Sequence, residues 1–279
     1  MNDLFFILGA DDPEMQAIEE ILSHLNLTYA YATCDWHRTS ARKAYNQNLG
    51  MVVVNNYKKP FKSRIVTVEC GSPFNMNVYH KIDHHYPGDP GYDCDHLDFW
   101  NGSSIGQLVK FLVSEGYDEK MLLGIPSDDP YIVAANDHCP AHAAQGLIPQ
   151  VDIQAFLDYR LKRASLRTGE SPQSIMQRIC LTMEELQKRP QYSIEGTPIC
   201  RVERSQQILY FNDASMALGL AVEWGVGHGK EVLKRGISNC LNPKAVETWM
   251  QNNELVLHSI YGSPKRGYAA GTVRDSFVN

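Results

Sequence analysis

Acids and imidazoles follow short apolar runs at four points of this chain, a spacing that delivers potential metal ligands from several segments to one place. Leu4-Phe5-Phe6-Ile7-Leu8 leads into Asp11-Asp12-Pro13-Glu14, and Ile65-Val66-Thr67-Val68 into Glu69. Lys81-Ile82 leads into Asp83-His84-His85, and Ile132-Val133-Ala134-Ala135-Asn136 into Asp137-His138. Carboxylates with an imidazole suit Mn²⁺, with Mg²⁺ as the alternative, and such an ion polarises phosphoryl oxygens and acidifies water. The candidate ligands are Asp12, Glu14, Glu69, Asp83, His84 and Asp137, and His84 and His85 are the candidates for proton transfer. Two of these acids have a second reading. A helix beginning at Pro13 makes Asp12 its N-cap and puts Glu14 in its first turn, where the positive end of the helix favours a negative charge.

Anion binding has two candidate segments. Lys265 and Arg266, within Gly262-Ser263-Pro264-Lys265-Arg266-Gly267, form either a phosphate cradle or a basic turn. Arg38 and Arg42, with Lys43 and the aromatic Tyr45 close by, suit a phosphate and a base or form a solvated helix face.

The order Asp12-x-Glu14, Glu69, Asp83-His84-His85 and Asp137 resembles the DHH phosphoesterase superfamily, which includes RecJ-like nucleases, oligoribonucleases and family II pyrophosphatases. The stretch from Gly102 to Val109 is similar to the small-residue helix start that follows the triplet in that family, and Tyr261 to Gly271 to its glycine-rich substrate loop. The resemblance implies an α/β fold, a metal-dependent hydrolysis of a phosphodiester or phosphoanhydride, and a metal-bridging role for Glu69. The chain departs from the family at Leu8, where a metal-binding histidine is expected, and at Glu14 and Glu69, where aspartates are usual. These departures support a second expectation, a catalytically degenerate DHH-like protein that binds a nucleotide or a partner.

The elements that must carry these residues alternate. Strands are expected at 4–8, 29–32, 51–54, 65–68 and 78–82, with helices at 15–25, 104–115 and 129–136. Strands interleaved with helices give an α/β class with a mostly parallel sheet in the N-terminal domain, and a second, smaller α/β domain follows. The expected division is 1–148 for the metal-binding domain, 149–190 for a helical connector and 191–279 for the substrate-binding domain. The connector holds helices at 152–162 and 172–188. The last domain has strands at 197–202, 207–211 and 255–261, with helices at 214–223 and 243–252.

Composition narrows the partners. A net charge of −6 over 279 residues disfavours a protein that coats long duplex nucleic acid, which needs a broad cationic surface. A small phosphorylated substrate or short oligonucleotide, held by a few local cations, fits better, and a homodimer is compatible with the sequence. Seven scattered cysteines without a Cys-x-x-Cys pair point to the cytoplasm and away from a zinc ribbon. No run approaches membrane-spanning length, so no membrane partner is expected. An unrelated zinc hydrolase using His80, His84, His85, His96 and Cys94, or Asp137, His138 and His142, is the third reading.

Overall fold

The computed structural model describes residues 3–41, 43–46, 48–55, 63–203, 208–228 and 231–274. The chain divides into two compact units: residues 1–94 with 98–137, and residues 95–97 with 138–279. The expected boundary at 148 thus falls at Asp137/His138.

The first unit contains β1 (Leu4–Leu8), α1 (Pro13–His24), β2 (Thr28–Cys34), β3 (His37–Arg38), β4 (Gly50–Asn55), β5 (Arg64–Val68) and β6 (Val78–Ile82). After these come α2 (Phe99–Gly102), α3 (Ser104–Ser114), α4 (Glu119–Leu123) and α5 (Pro130–His138). Its sheet is mixed. β2, β1, β5 and β6 pair in parallel in that order, and β3 and β4 run antiparallel to β2. All five residues of β1 are buried, which explains its uninterrupted apolar run: a strand covered on both faces has no solvent side to alternate toward. Phe5 and Ile7 pack with Ala30, Ala32 and Ile65, whereas Phe6 meets Phe111 of α3 edge to face at 6.3 Å.

Register makes the chemistry possible. Leu8 pairs with Val68, and Val68 with Ile82, so β1, β5 and β6 end level and Gly9, Glu69 and Asp83 leave the sheet side by side. Gly9 is required there, because a Cβ on it would lie 2.3 Å from the Glu69 carbonyl oxygen. Asp137 comes from the C-terminal turn of the helix α5 rather than from a strand.

The second unit contains α6 (Pro140–Ala144), α7 (Ile153–Thr168), α8 (Pro172–Lys188), β7 (Gln191–Ile194) and β8 (Thr197–Glu203). It continues with α9 (Ile208–Leu218), β9 (Ala221–His228), β10 (Glu231–Ser238), α10 (Pro243–Asn253), β11 (Leu257–Ser263) and β12 (Tyr268–Val273). The sheet order is β11-β12-β10-β9-β8-β7, with β8–β9 its one parallel pair among the described residues. Alternation along the strands builds two cores. Cys200 and Val202 of β8 and Val222 of β9 face α7, α8 and α9, while Ile199 and Ala221 pack with α10.

Three expectations change here. The strand placed at 207–211 belongs to α9 from Ile208 onward, and Gln207 lies outside the described residues. Its aromatic run favours a strand when read alone, but Tyr210, Phe211 and Ala214 have the spacing of one helix face and are buried against α8. The helix placed at 214–223 stops at Leu218, where Gly219 takes φ 61° and turns the chain into β9. The supposed connector helices α7 and α8 are part of the second core, with Ile175 and Leu186 fully buried. Leu186→Ala should therefore cost about 2–5 kcal/mol in denaturant unfolding, whereas a solvated connector would lose less than about 0.5 kcal/mol.

Candidate metal centre

Four side chains from the first unit converge: ligand atoms of Glu14, Glu69, His84 and Asp137 all lie within 4.8 Å of one another. Glu69, His84 and His85 make an overlapping group.

Each ligand is held by its own local structure. Glu14 sits in the first turn of α1, which starts at Pro13 with Asp12 as its N-cap, the Asp12 carboxylate accepting from the Met15 amide at 2.8 Å. Although acidic, Glu14 is 1% exposed. Its Oε1 accepts from the Ile105 amide at 3.0 Å, in the first turn of α3, while Oε2 is buried with no hydrogen-bond partner. Glu69 leaves β5 with φ 49°, a left-handed conformation that costs a non-glycine residue about 1–3 kcal/mol. His84 is fully buried, and its Nδ1 lies 3.0 Å from the Gly102 carbonyl oxygen. Only a protonated Nδ1 can donate to a carbonyl, so neutral His84 carries its lone pair on Nε2. That Nε2 is 3.1 Å from Asp137 Oδ2 and 3.7 Å from Glu69 Oε1.

Asp83, expected to be a ligand, is used differently. The Tyr45 hydroxyl donates to both of its oxygens at 2.9 Å, and the amides of His84 and His85 donate to its Oδ1 at 2.8 and 3.2 Å. His85 Nδ1 lies 3.0 Å from the same oxygen, and Lys81 Nζ is 3.6 Å from Oδ2. Burial alone would raise the Asp83 pKa, but His85, Lys81 and Tyr45 outweigh it and hold the carboxyl at about 2. Asp83 is thus an anion that orients His85. Gln107 fixes the turn behind it, accepting from the Asp83 amide at 3.1 Å and donating to the Asp83 and Gly102 carbonyls at 3.2 and 3.0 Å.

Two of the cations expected for substrate, Arg38 and Arg266, are engaged in structure. Arg38 donates to the Gly9 and Ala10 carbonyls at 3.1 and 3.4 Å, pairs with Glu19 at 2.7 Å and lies over the Tyr31 ring, so it braces the β1–α1 turn that carries Asp12 and Glu14. Arg42 lies outside the described residues. Arg266, 4% exposed, donates to the His138 carbonyl at 3.0 Å, and Lys265 beside it is exposed. Among the described residues, His80, Cys94, His96, His138 and His142 enter no group of three metal-ligand atoms, whereas His84, His85 and Asp137 of the zinc reading join groups with Glu14 and Glu69.

Two residues escaped the sequence reading. Tyr45 stands beside a basic cluster that suits a phosphate and a base or a solvated helix face, and no local signal ties it to Asp83, which is 38 residues away. Gln107 stands inside the small-residue helix start, where its side chain had no assigned task. No protein-family model matches the chain, and no curated protein gives a significant match to it.

The donor set fits a hard divalent cation. Carboxylate oxygens and one imidazole are the ligands such ions take. The orphaned Glu14 oxygen and the crowding of like charges point the same way. Burial, then Glu69 and Asp137, hold the Asp12 carboxyl well above its ordinary value of 3.8. Burial, then Asp137 and Glu69, do the same to Glu14 above 4.5.

These raised values set a pH dependence. Protonated Asp12 and Glu14 stabilise the metal-free fold fully below their ordinary values, and that stabilisation is lost as pH rises through their folded values. A cation competes with those protons. At a hundredfold excess over Kd, Mn²⁺ should stabilise the protein by about 2.7 kcal/mol, raising Tm by roughly 5–10 °C, with a larger gain at pH 8 than at pH 5.5 in thermal unfolding. Titration calorimetry should also show Asp137→Asn weakening Mn²⁺ binding by roughly tenfold or more beyond any effect of Asp83→Asn.

Proposed function

We propose that this chain is a metal-dependent phosphoesterase of DHH-like type, hydrolysing a phosphodiester or phosphoanhydride in a small phosphorylated substrate such as a short oligonucleotide or dinucleotide. The convergence of Glu14, Glu69, His84 and Asp137 carries this reading. When bound there, Mn²⁺ or Mg²⁺ supplies Lewis-acid polarisation of a phosphoryl oxygen and makes a water acidic enough to attack near neutral pH.

The chain's own residues do the rest. Glu14, Glu69 and Asp137 hold the charge, and His84 presents Nε2 because Gly102 fixes its other nitrogen. Asp83 and Tyr45 fix His85 through Nδ1, and this quarter-exposed ring, as the imidazolium, would supply the Nε2 proton to the leaving oxygen. The seven cysteines are free thiols, in keeping with a reducing cytoplasm, and no helix among the described residues is long and apolar enough to cross a membrane.

A second reading, a nucleotide- or partner-binding protein without turnover, rests on Leu8. It is wholly buried in β1 where the resemblance calls for a histidine ligand, and the Asp12 carboxylate caps a helix. Leu8 removes a donor from a second ion and the cap occupies one Asp12 oxygen, so the proposal is for one cation.

Hydrolysis of bis-p-nitrophenyl phosphate and short oligonucleotides with Mn²⁺ separates the two. The phosphoesterase reading expects turnover that Asp137→Asn abolishes and His85→Ala lowers by about 10²–10⁴-fold in kcat. Mn²⁺ binding without turnover on any substrate would leave the binding protein, and absence of both would remove the metal reading.

A further inference from the structure

A cavity of about 600 Å³ in the first unit is lined by Trp36, Phe74 and Met51 together with the polar Asp35, Asn48 and Asn75. Its volume falls within the usual range for a small-molecule site. Trp36 is 93% exposed and Phe74 65% exposed, so neither ring contributes to a core. Both stand on unfavourable backbone. Asp35 and Trp36 form the two-residue loop between β2 and β3, at φ 55° and 67°, a geometry for which Asn-Gly or Asp-Gly is the usual sequence. Phe74 and Asn75 repeat the pattern at φ 54° and 51°. A bulky aromatic at positive φ is an outlier, and here two of them line one cavity while burying little of themselves.

The cavity shares its supports with the metal centre. The segment after β5 begins at the ligand Glu69 and reaches Phe74 five residues later, at most about 18 Å of chain. It is pinned to the preceding loop by Gly71 N to Ala44 O at 2.8 Å and Phe74 N to Leu49 O at 3.3 Å. That loop in turn carries Tyr45, bonded to Asp83, and Asn48 of the cavity wall.

We infer that this cavity is a nucleobase subsite: Trp36 and Phe74 supply the stacking faces, and Asn48, Asn75 and Asp35 supply the mixed donors and acceptors that read a base edge. Asp35 is itself balanced by Lys43 at 3.2 Å, so the pocket edge does not present an unpaired negative charge to a phosphorylated ligand. The inference rests on the phosphoesterase reading only in naming the ligand as the base of that site's substrate, a short oligonucleotide or dinucleotide.

The test is calorimetric titration of the whole chain, in EDTA, with the dinucleotide pApA and with ribose 5-phosphate, which has no base. Binding of pApA should exceed that of ribose 5-phosphate, and Phe74→Ala and Trp36→Gly should each weaken it by about 5- to 150-fold, the range for losing one stacked base. Trp36→Gly should unfold at the same Tm as wild type or higher, since glycine suits that φ and the lost ring is exposed, so its effect on binding is not one of misfolding. Trp36→Phe, which keeps a flat ring, should retain most of the affinity. No detectable pApA binding, equal binding of both probes, or variants that bind pApA as wild type would overturn the subsite and leave the metal centre standing. Base-dependent binding by a chain that takes up no Mn²⁺ would keep the subsite and remove the phosphoesterase.

Discussion

Electrostatic crowding at the ends of the parallel strands β1, β5 and β6 of a mixed sheet is the constraint around which the first unit is organised. Three carboxylates and an imidazole have been brought within 4.8 Å of each other, from α1, the end of β5, the turn after β6 and the end of α5. Burial and, after it, the repulsion of like charges so placed both raise the pKa of Glu14. The surroundings restrain the ligands more than they neutralise them. A helix amide holds one oxygen of Glu14, a carbonyl holds one nitrogen of His84, and Arg38 braces the turn that carries Glu14. The remaining charge deficit is what a divalent ion would fill.

The Asp-His-His triplet divides into separate tasks within three consecutive residues. The middle residue points into the ligand cluster, the last carries the more exposed imidazole, and the first spends its carboxylate on holding the last. A carboxylate oriented by Tyr45 and kept ionised can fix the tautomer and direction of a neighbouring imidazole, a role distinct from ligation and invisible in residue type alone.

Much of the arrangement was legible in the sequence. The fully apolar β1, the Pro13 helix start, α3, α8 and α10 follow from periodicity and capping, and four of the six expected ligands do meet. The failures have a common physical form. Asp12 caps α1 with one oxygen and Asp83 has both of its oxygens on Tyr45, while Arg38 has the right charge but found carbonyls to bind. The strand read at 207–211 became a helix because burial against α8 outweighed local β preference. Sequence spacing indicates which groups can reach a place; it does not tell which of several partners each group takes there.

Glu69 carries an unusual tension. Its backbone sits where glycine or asparagine is the natural occupant, while its side chain is one of the four convergent ligands. A procedure that optimised this chain for backbone compatibility alone would write glycine at 69, gaining stability and erasing the centre in one step. Position 69 therefore marks where folding and chemistry make opposite demands on one codon, and the residue found there records which demand prevailed.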